Sequence, residues 1–257
     1  MAVLEIRGLS IRFGGLAALT GVDLDVADGE ILALIGPNGA GKTTVFNVLT
    51  GLYAPSAGTI RFRGEDLRGL APHAIVTRGI ARTFQNTEVF RRLSARDNVL
   101  VGLHSRLRGG VVGGAVARPD VRREERAARR RADELLGRLG LTDVADVSAG
   151  SLPLGHQKRL ELARALAAEP EMLLLDEPAG GLNPTETRAL MDLIVRLRRE
   201  ERLTVVLVEH DMTLVMGISD RVAVLHYGRK IADGAPRAIA ADPAVVEAYL
   251  GAEEDEA

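Results

Sequence analysis

A chain of 257 residues with 33 basic and 35 acidic side chains carries a net charge of −2, which gives nucleic acid no general field to follow. It has no Cys, which excludes disulfides, thiolate metal sites and a cysteine nucleophile. Its 46% hydrophobic content can build a large core, yet no apolar run approaches the ~18–20 residues that span a bilayer. Glu5 and Arg7 interrupt the apolar start, unlike a signal peptide. The expectation is a soluble, cytoplasmic protein whose membrane association would come through a partner.

Taken in chain order, residues 3–7, 11–13 and 22–26 read as short strands, with turns at Gly14-Gly15 and Asp28-Gly29. Residues 31–35 are continuously apolar, as a strand covered on both faces must be. Residues 44–49 look helical, and 59–63 alternate as a strand ending at Gly64. From about 72 to 166 the pattern is helical, with glycine pairs at 109–110 and 113–114 marking a loop. In 118–138, Ala128, Ala132, Leu135, Leu136 and Leu139 share one face. Opposite charges stand four apart at Glu125–Arg129, Arg130–Glu134 and Glu134–Arg138. Interleaved acids and missing aromatics make this a solvated amphipathic helix, not a nucleic-acid surface. Strands at 172–175, 204–208 and 222–225 then alternate with helices at 185–200 and 212–219, and 229–233 forms a last hairpin arm. That alternation predicts an α/β fold with a mostly parallel sheet. Acidic residues 253–256 predict a disordered tail.

The segment Gly36, Pro37, Asn38, Gly39, Ala40, Gly41, Lys42, Thr43 fits Gly-x-x-x-x-Gly-Lys-Ser/Thr between a strand and a helix, and Thr44 continues it. A strand that turns through glycines into a helix N-terminus points backbone N–H groups and the helix dipole at one spot, which binds phosphate. Lys42 is expected to reach the β- and γ-phosphates and the Thr43 hydroxyl to ligate Mg²⁺. Of the 33 basic residues only Lys42, Lys158 and Lys230 are Lys. An Arg-using chain therefore has a compact ammonium where a P-loop wants one.

Asp176 and Glu177 end the strand at 172–175, and ligands of such sheets collect beyond the strands' carboxyl ends. Asp176 is expected near Mg²⁺ and Glu177 near the attacking water, which it would orient for in-line attack. His210 follows the strand at 204–208 and is placed to touch the γ-phosphate. Gln85 is a candidate bridge between Mg²⁺ and water.

In order and spacing these motifs resemble the nucleotide-binding subunits of ABC transporters along essentially the whole chain. The resemblance makes Gly36–Thr44 the Walker A motif, Asp176 the end of Walker B and Glu177 the catalytic glutamate. Gln85 becomes the Q-loop glutamine, His210 the switch histidine and Phe13 the aromatic that stacks on adenine. Gly181, Leu182 and Asn183 match the D-loop, with Asn where Asp is usual. Leu152, Pro153, Leu154, Gly155 and His156 match the signature, usually Leu-Ser-Gly-Gly-Gln. The implied fold is a P-loop NTPase: a RecA-like core with an N-terminal antiparallel β subdomain and an inserted α-helical subdomain. The implied boundaries are one ABC ATPase domain over 1–257, core at about 1–85 and 167–250, helical subdomain at about 86–166, and a disordered tail at 251–257.

In this family two ATPases clamp each ATP between one Walker A and the other's signature. Pro153 has neither the hydroxyl nor the N–H of the usual Ser, a loss of ~1.5–3 kcal/mol for a charge-assisted donor. The variant signature therefore implies a heterodimer with a second ATPase subunit. The stretch at 81–101, Pro178–Pro184 and the ending at 242–250 further resemble ATPases of branched-chain amino acid importers. That implies ATP and Mg²⁺ as cofactors, two membrane permease subunits, indirectly a solute-binding protein, and a peripheral position on the inner membrane face. Residues 86–101 are then expected to receive a permease helix. The alternatives are the same ATPase role for another cargo, such as urea or a lipid, or a soluble non-transport ABC ATPase.

Overall fold

The computed structural model describes residues 2–83, 88–103 and 119–255. Ten strands occur among them: β1 (Ala2–Phe13), β2 (Leu16–Ala27), β3 (Ile31–Ile35), β4 (Ala57–Phe62), β5 (Glu65–Asp66), β6 (Ile80–Arg82), β7 (Met172–Asp176), β8 (Thr204–Val208), β9 (Arg221–His226) and β10 (Arg229–Gly234). The helices are α1 (Lys42–Leu49), α2 (Pro72–Thr77), α3 (Ala95–Leu103), α4 (Pro119–Arg138), α5 (Leu154–Ala167), α6 (Pro184–Glu201), α7 (Met212–Ile218), α8 (Pro236–Ala240) and α9 (Pro243–Asp255).

A six-stranded sheet in the order β10-β9-β3-β8-β7-β6 forms the centre, parallel except for β10. Strands β3, β7 and β8 are buried at every position, which is why their sequences are apolar without alternation. Their side chains still obey the two-residue period. Ile31, Ala33 and Ile35 enter one core with α3–α6, while Leu32 and Leu34 enter a second core around α1. The second core is closed by an antiparallel sheet, β2-β1-β4-β5, so α1 lies between two sheets. Helices α3, α4 and α5 pack on one another.

Three elements differ from the sequence reading. The runs at 3–7 and 11–13 are one strand, β1, because a register shift between Ile6 and Leu9 absorbs the irregular residues without ending the ladder. Residues 80–82, inside the stretch read as helical, form β6. A three-residue strand is too short to show periodicity, and pairing to β7 decides it. The acidic end is helical rather than disordered as far as Asp255, because α9 starts on the packed residues Val245 and Ala248 and continues into it.

The amphipathic face expected in α4 is buried as predicted: Ala128, Ala132, Leu135, Leu136 and Leu139 all belong to the first core. Its charges are arranged otherwise. Arg131 pairs with Glu134, and Arg138 reaches across to Glu200 and Glu201 of α6 rather than back to Glu134. The glycine pairs at 109–110 and 113–114 lie outside the described residues.

Candidate nucleotide site

Strand β3 ends at Ile35, and the loop 36–41 carries the chain into α1. Gly36 has φ 146, and a Cβ there would stand 2.0 Å from the Leu225 carbonyl oxygen. Gly41, the N-cap of α1, has φ 103, with Leu19 Cδ2 at 2.7 Å from a Cβ's position. Both positions demand glycine, so the loop's curl is fixed by packing against β9 and β2. Helix α1 begins with no side-chain cap and no acidic residue in its first turn. Its first N–H groups and its dipole are thus left to an external anion. Lys42 is 7% exposed and folds back, its Nζ donating to the carbonyls of Gly36 (2.5 Å) and Pro37 (2.9 Å). Burial lowers the Lys42 pKa, and the charges of Glu177 and Asp176 oppose that shift.

An open cleft of about 490 Å³ lies over this loop. Asn38 to Thr44 form its floor, Glu177 and His210 one wall, and Phe13, Leu16, Tyr227 and Gly228 the rim. Phe13 is 45% exposed and set edge-on to Tyr53 at 5.0 Å, so a ring face remains available. Tyr227, in the β9–β10 turn with a left-handed φ of 44, is a rim residue that no motif signals.

The carboxyl ends of β7 and β8 supply the wall. Glu177 has a left-handed backbone, φ 46, which costs a non-glycine residue about 1–2 kcal/mol. Its N–H donates to the Val208 carbonyl (2.9 Å), and its Oε1 meets His210 Nε2 at 2.7 Å. The two predicted catalytic side chains therefore touch. Glu209, which the sequence reading passed over, is 5% exposed and accepts from the N–H groups of Ala179 (2.9 Å) and His210 (3.1 Å). It ties the two strand ends together. Burial raises its carboxyl pKa against those hydrogen bonds. Lys158, the second of the rare lysines, is buried in α5 and donates to the Glu177 carbonyl at 3.4 Å. Its rarity was the signal that could have found it.

Asp176 is 1% exposed. Its Oδ2 accepts from Arg82 Nη2 at 2.7 Å, and its Oδ1 is buried with no hydrogen-bond partner. A carboxylate oxygen orphaned beside the P-loop fits a divalent cation's shell. Among the described residues no three His, Asp or Glu side chains converge as a metal cage, so such an ion would also need phosphate oxygens. Gln85 lies outside the described residues.

The signature residues stand apart from this cleft. Pro153 is the N-cap of α5 and makes no side-chain cap, though its carbonyl accepts from the N–H groups of His156 (2.9 Å) and Gln157 (3.0 Å). Leu152 is buried and Leu154 exposed, while Gly155 faces Glu186 of α6. In the D-loop, Gly181 has φ 80 and Leu182 packs on the core. Asn183 is the N-cap of α6: its Oδ1 accepts from the N–H groups of Thr185 and Glu186, both at 3.0 Å, and Glu186 returns the bond to the Asn183 N–H. Asn and Asp cap helices equally well. The Asn183 departure therefore has a structural account and says nothing by itself about a weakened site.

Known proteins place this geometry. A family model described as ABC transporter matches residues 19–180, and one described as branched-chain amino acid ATP-binding cassette transporter matches 229–255. The chain is 49% identical to the high-affinity branched-chain amino acid transport ATP-binding protein BraF of Pseudomonas aeruginosa, over 97% of this chain and 98% of that one. It is 48% identical to LivG of Escherichia coli, of the same description, over the same shares. A nucleotide-free ATP-binding cassette from an ABC transporter superposes with a TM-score of 0.85 at 29% identity, covering 97% of this chain and 99% of that chain. The strand-loop-helix cradle, the two strand-end acids and this full-length likeness make the chain a member of the ABC transporter family, an ATP-binding and ATP-hydrolysing subunit.

Proposed function

We propose that the chain energises uptake of branched-chain amino acids, as one ATPase of a heteromeric importer on the inner face of the membrane. Full-length identity of 49% to BraF carries the cargo, since nothing in the chain itself recognises an amino acid. A more distant relative, 37% identical over 94% of this chain, is a sulfate/thiosulfate import protein, which makes cargo the finer and separately testable part.

The chemistry follows from the cleft. The adenine stacks on Phe13, and the phosphates take the free N–H groups of α1. Lys42 exchanges the Gly36 and Pro37 carbonyls for β- and γ-phosphate oxygens. Thr43, Asp176 and Gln85 would hold Mg²⁺, which supplies charge neutralisation on those phosphates. Glu177, fixed by the Val208 carbonyl and His210, orients the attacking water, and His210 contacts the γ-phosphate. The signature Leu152–His156 acts on the partner's nucleotide. Pro153 offers that nucleotide no side-chain donor, so a second subunit with an intact signature completes the stronger site over this chain's P-loop.

The permease helix would seat in a groove of about 580 Å³ beside α3 and α5. Of the residues expected there, Val89 is buried and belongs to the core, whereas Phe90 (47% exposed) and Leu93 (37%) remain on the surface. Val101 of α3, 43% exposed, joins Phe90 in lining the groove.

The test is to purify the protein with its native membrane partners and add binding protein loaded with leucine, isoleucine or valine. Stimulated ATP hydrolysis is expected. No stimulation by any of the three removes the cargo assignment and leaves the ATPase intact. A full hydrolysis rate from the chain alone, as a homodimer, removes the heteromer.

A further inference from the structure

Arg82 is a buried guanidinium, its side chain 7% exposed, at the end of β6. One arm, Nη2, donates to Asp176 Oδ2 at 2.7 Å. The other, Nη1, donates to Asn47 Oδ1 at 2.7 Å and approaches Thr50 Oγ1 at 3.4 Å, both at the end of α1. Its plane lies over the Phe46 ring, 5.4 Å from the centroid. One side chain thus ties together the helix that starts at the P-loop, the strand that leads toward Gln85, and the acid at the end of β7.

We propose that Arg82 is a positioning residue for the metal-binding carboxylate: it occupies Asp176 Oδ2 and so presents Oδ1 to the cation of the nucleotide. The proposal rests on the reading of Asp176 given above. Three observations carry it. The two carboxylate oxygens are treated unequally, one bonded and one left buried without a partner. The guanidinium is held at its other arm by Asn47, so the donor that Asp176 Oδ2 meets is fixed in place, as a freely rotating ammonium would not be. The anchors on α1 belong to the P-loop's own helix, so Asp176 is oriented in the frame that carries the phosphates.

A buried ion pair could instead serve stability alone, and removing one partner of such a pair is destabilising. The readout must therefore be the metal dependence of binding, not activity. A fluorescent non-hydrolysable ATP analogue is titrated into the full chain at a series of Mg²⁺ concentrations and in EDTA, with thermal melts in parallel. Arg82→Gln is expected to raise the half-saturating Mg²⁺ by about tenfold, the size of one charge-assisted hydrogen bond. Affinity in EDTA should stay near wild type. Arg82→Lys, which keeps charge but loses the fork, should fall between. If Arg82→Gln does not fold, Asn47→Ala removes only the far anchor and should raise the Mg²⁺ requirement by about threefold, less than a full bond.

A lowered melting temperature with an unchanged Mg²⁺ midpoint overturns the proposal. So does a loss of affinity that is equal with and without Mg²⁺. A wild-type chain that binds the analogue with no response to Mg²⁺ overturns the reading of Asp176 as well, which separates the two failures.

Discussion

The P-loop and the signature turn are both helix N-termini, and they are equipped unequally. Helix α1 opens on Gly41, without a cap, with Lys42 and Thr43 in its first turn and the Glu177–His210 pair across the cleft. Helix α5 opens on Pro153, also without a cap, and offers no hydroxyl in its place. A third start, that of α6, is closed by the chain's own side chains. There Asn183 and Glu186 satisfy the free N–H groups reciprocally. An uncapped start is not in itself a binding place, since α2 and α8 also begin without a side-chain cap; what sets α1 apart is Lys42, Thr43 and the Glu177–His210 pair facing them.

The furnished side is broken most deeply at Glu177. In the assembled complex Glu177→Gln should lower kcat by ~10²–10⁴ while nucleotide binding holds, read by phosphate release against analogue titration. The bare side is sharpened by Pro153→Ser, which restores the donor. Hydrolysis by the chain alone should rise by roughly 10–100-fold, the rate equivalent of a charge-assisted hydrogen bond. No rise means that Pro153 is not what weakens that side.

A smaller effect concerns the helix behind the signature. Glu161 of α5 is 3% exposed and accepts from the Glu88 N–H at 2.6 Å. Burial pushes its pKa up to about 7, against the pull of that bond and of Lys158 and Arg164. The folded state therefore holds a proton that the unfolded chain releases near 4.5, so this group's contribution to stability falls as pH rises from about 4.5 through 7. Glu161→Gln should flatten that slope, by on the order of 2 kcal/mol between pH 5 and pH 8 in denaturant melts. An unchanged slope assigns the pH dependence elsewhere. The smallest effect belongs to the capped start: Asn183→Ala should cost ~1 kcal/mol, about 2–4 °C in Tm, and Asn183→Asp a few tenths at most.

The sequence disclosed what rests on local pattern. Buried strands β3, β7 and β8, the P-loop and the apolar face of α4 could all be read from runs and spacings. What it hid depends on contacts between distant segments. Strand β6 has three residues and exists only through its pairing with β7. Arg82, Asn47 and Asp176 lie far apart in the chain and meet only in the fold. Glu209 sits beside a motif histidine, yet its role comes from Ala179, thirty residues earlier. Asn183 was legible as a departure from a pattern but not as a cap, because capping depends on where α6 begins.

Strand β6 is the outermost of its sheet and pairs only with β7. The chain leaves for the helical insertion from that edge, three residues before Gln85. A strand with neighbours on both sides could not shift without tearing two ladders. One at the margin can slide or twist while the remaining strands keep their bonds. Any motion of α3–α5 relative to the P-loop would cost the sheet least at this edge, where the Arg82 contacts to Asn47 and Asp176 are what would hold it.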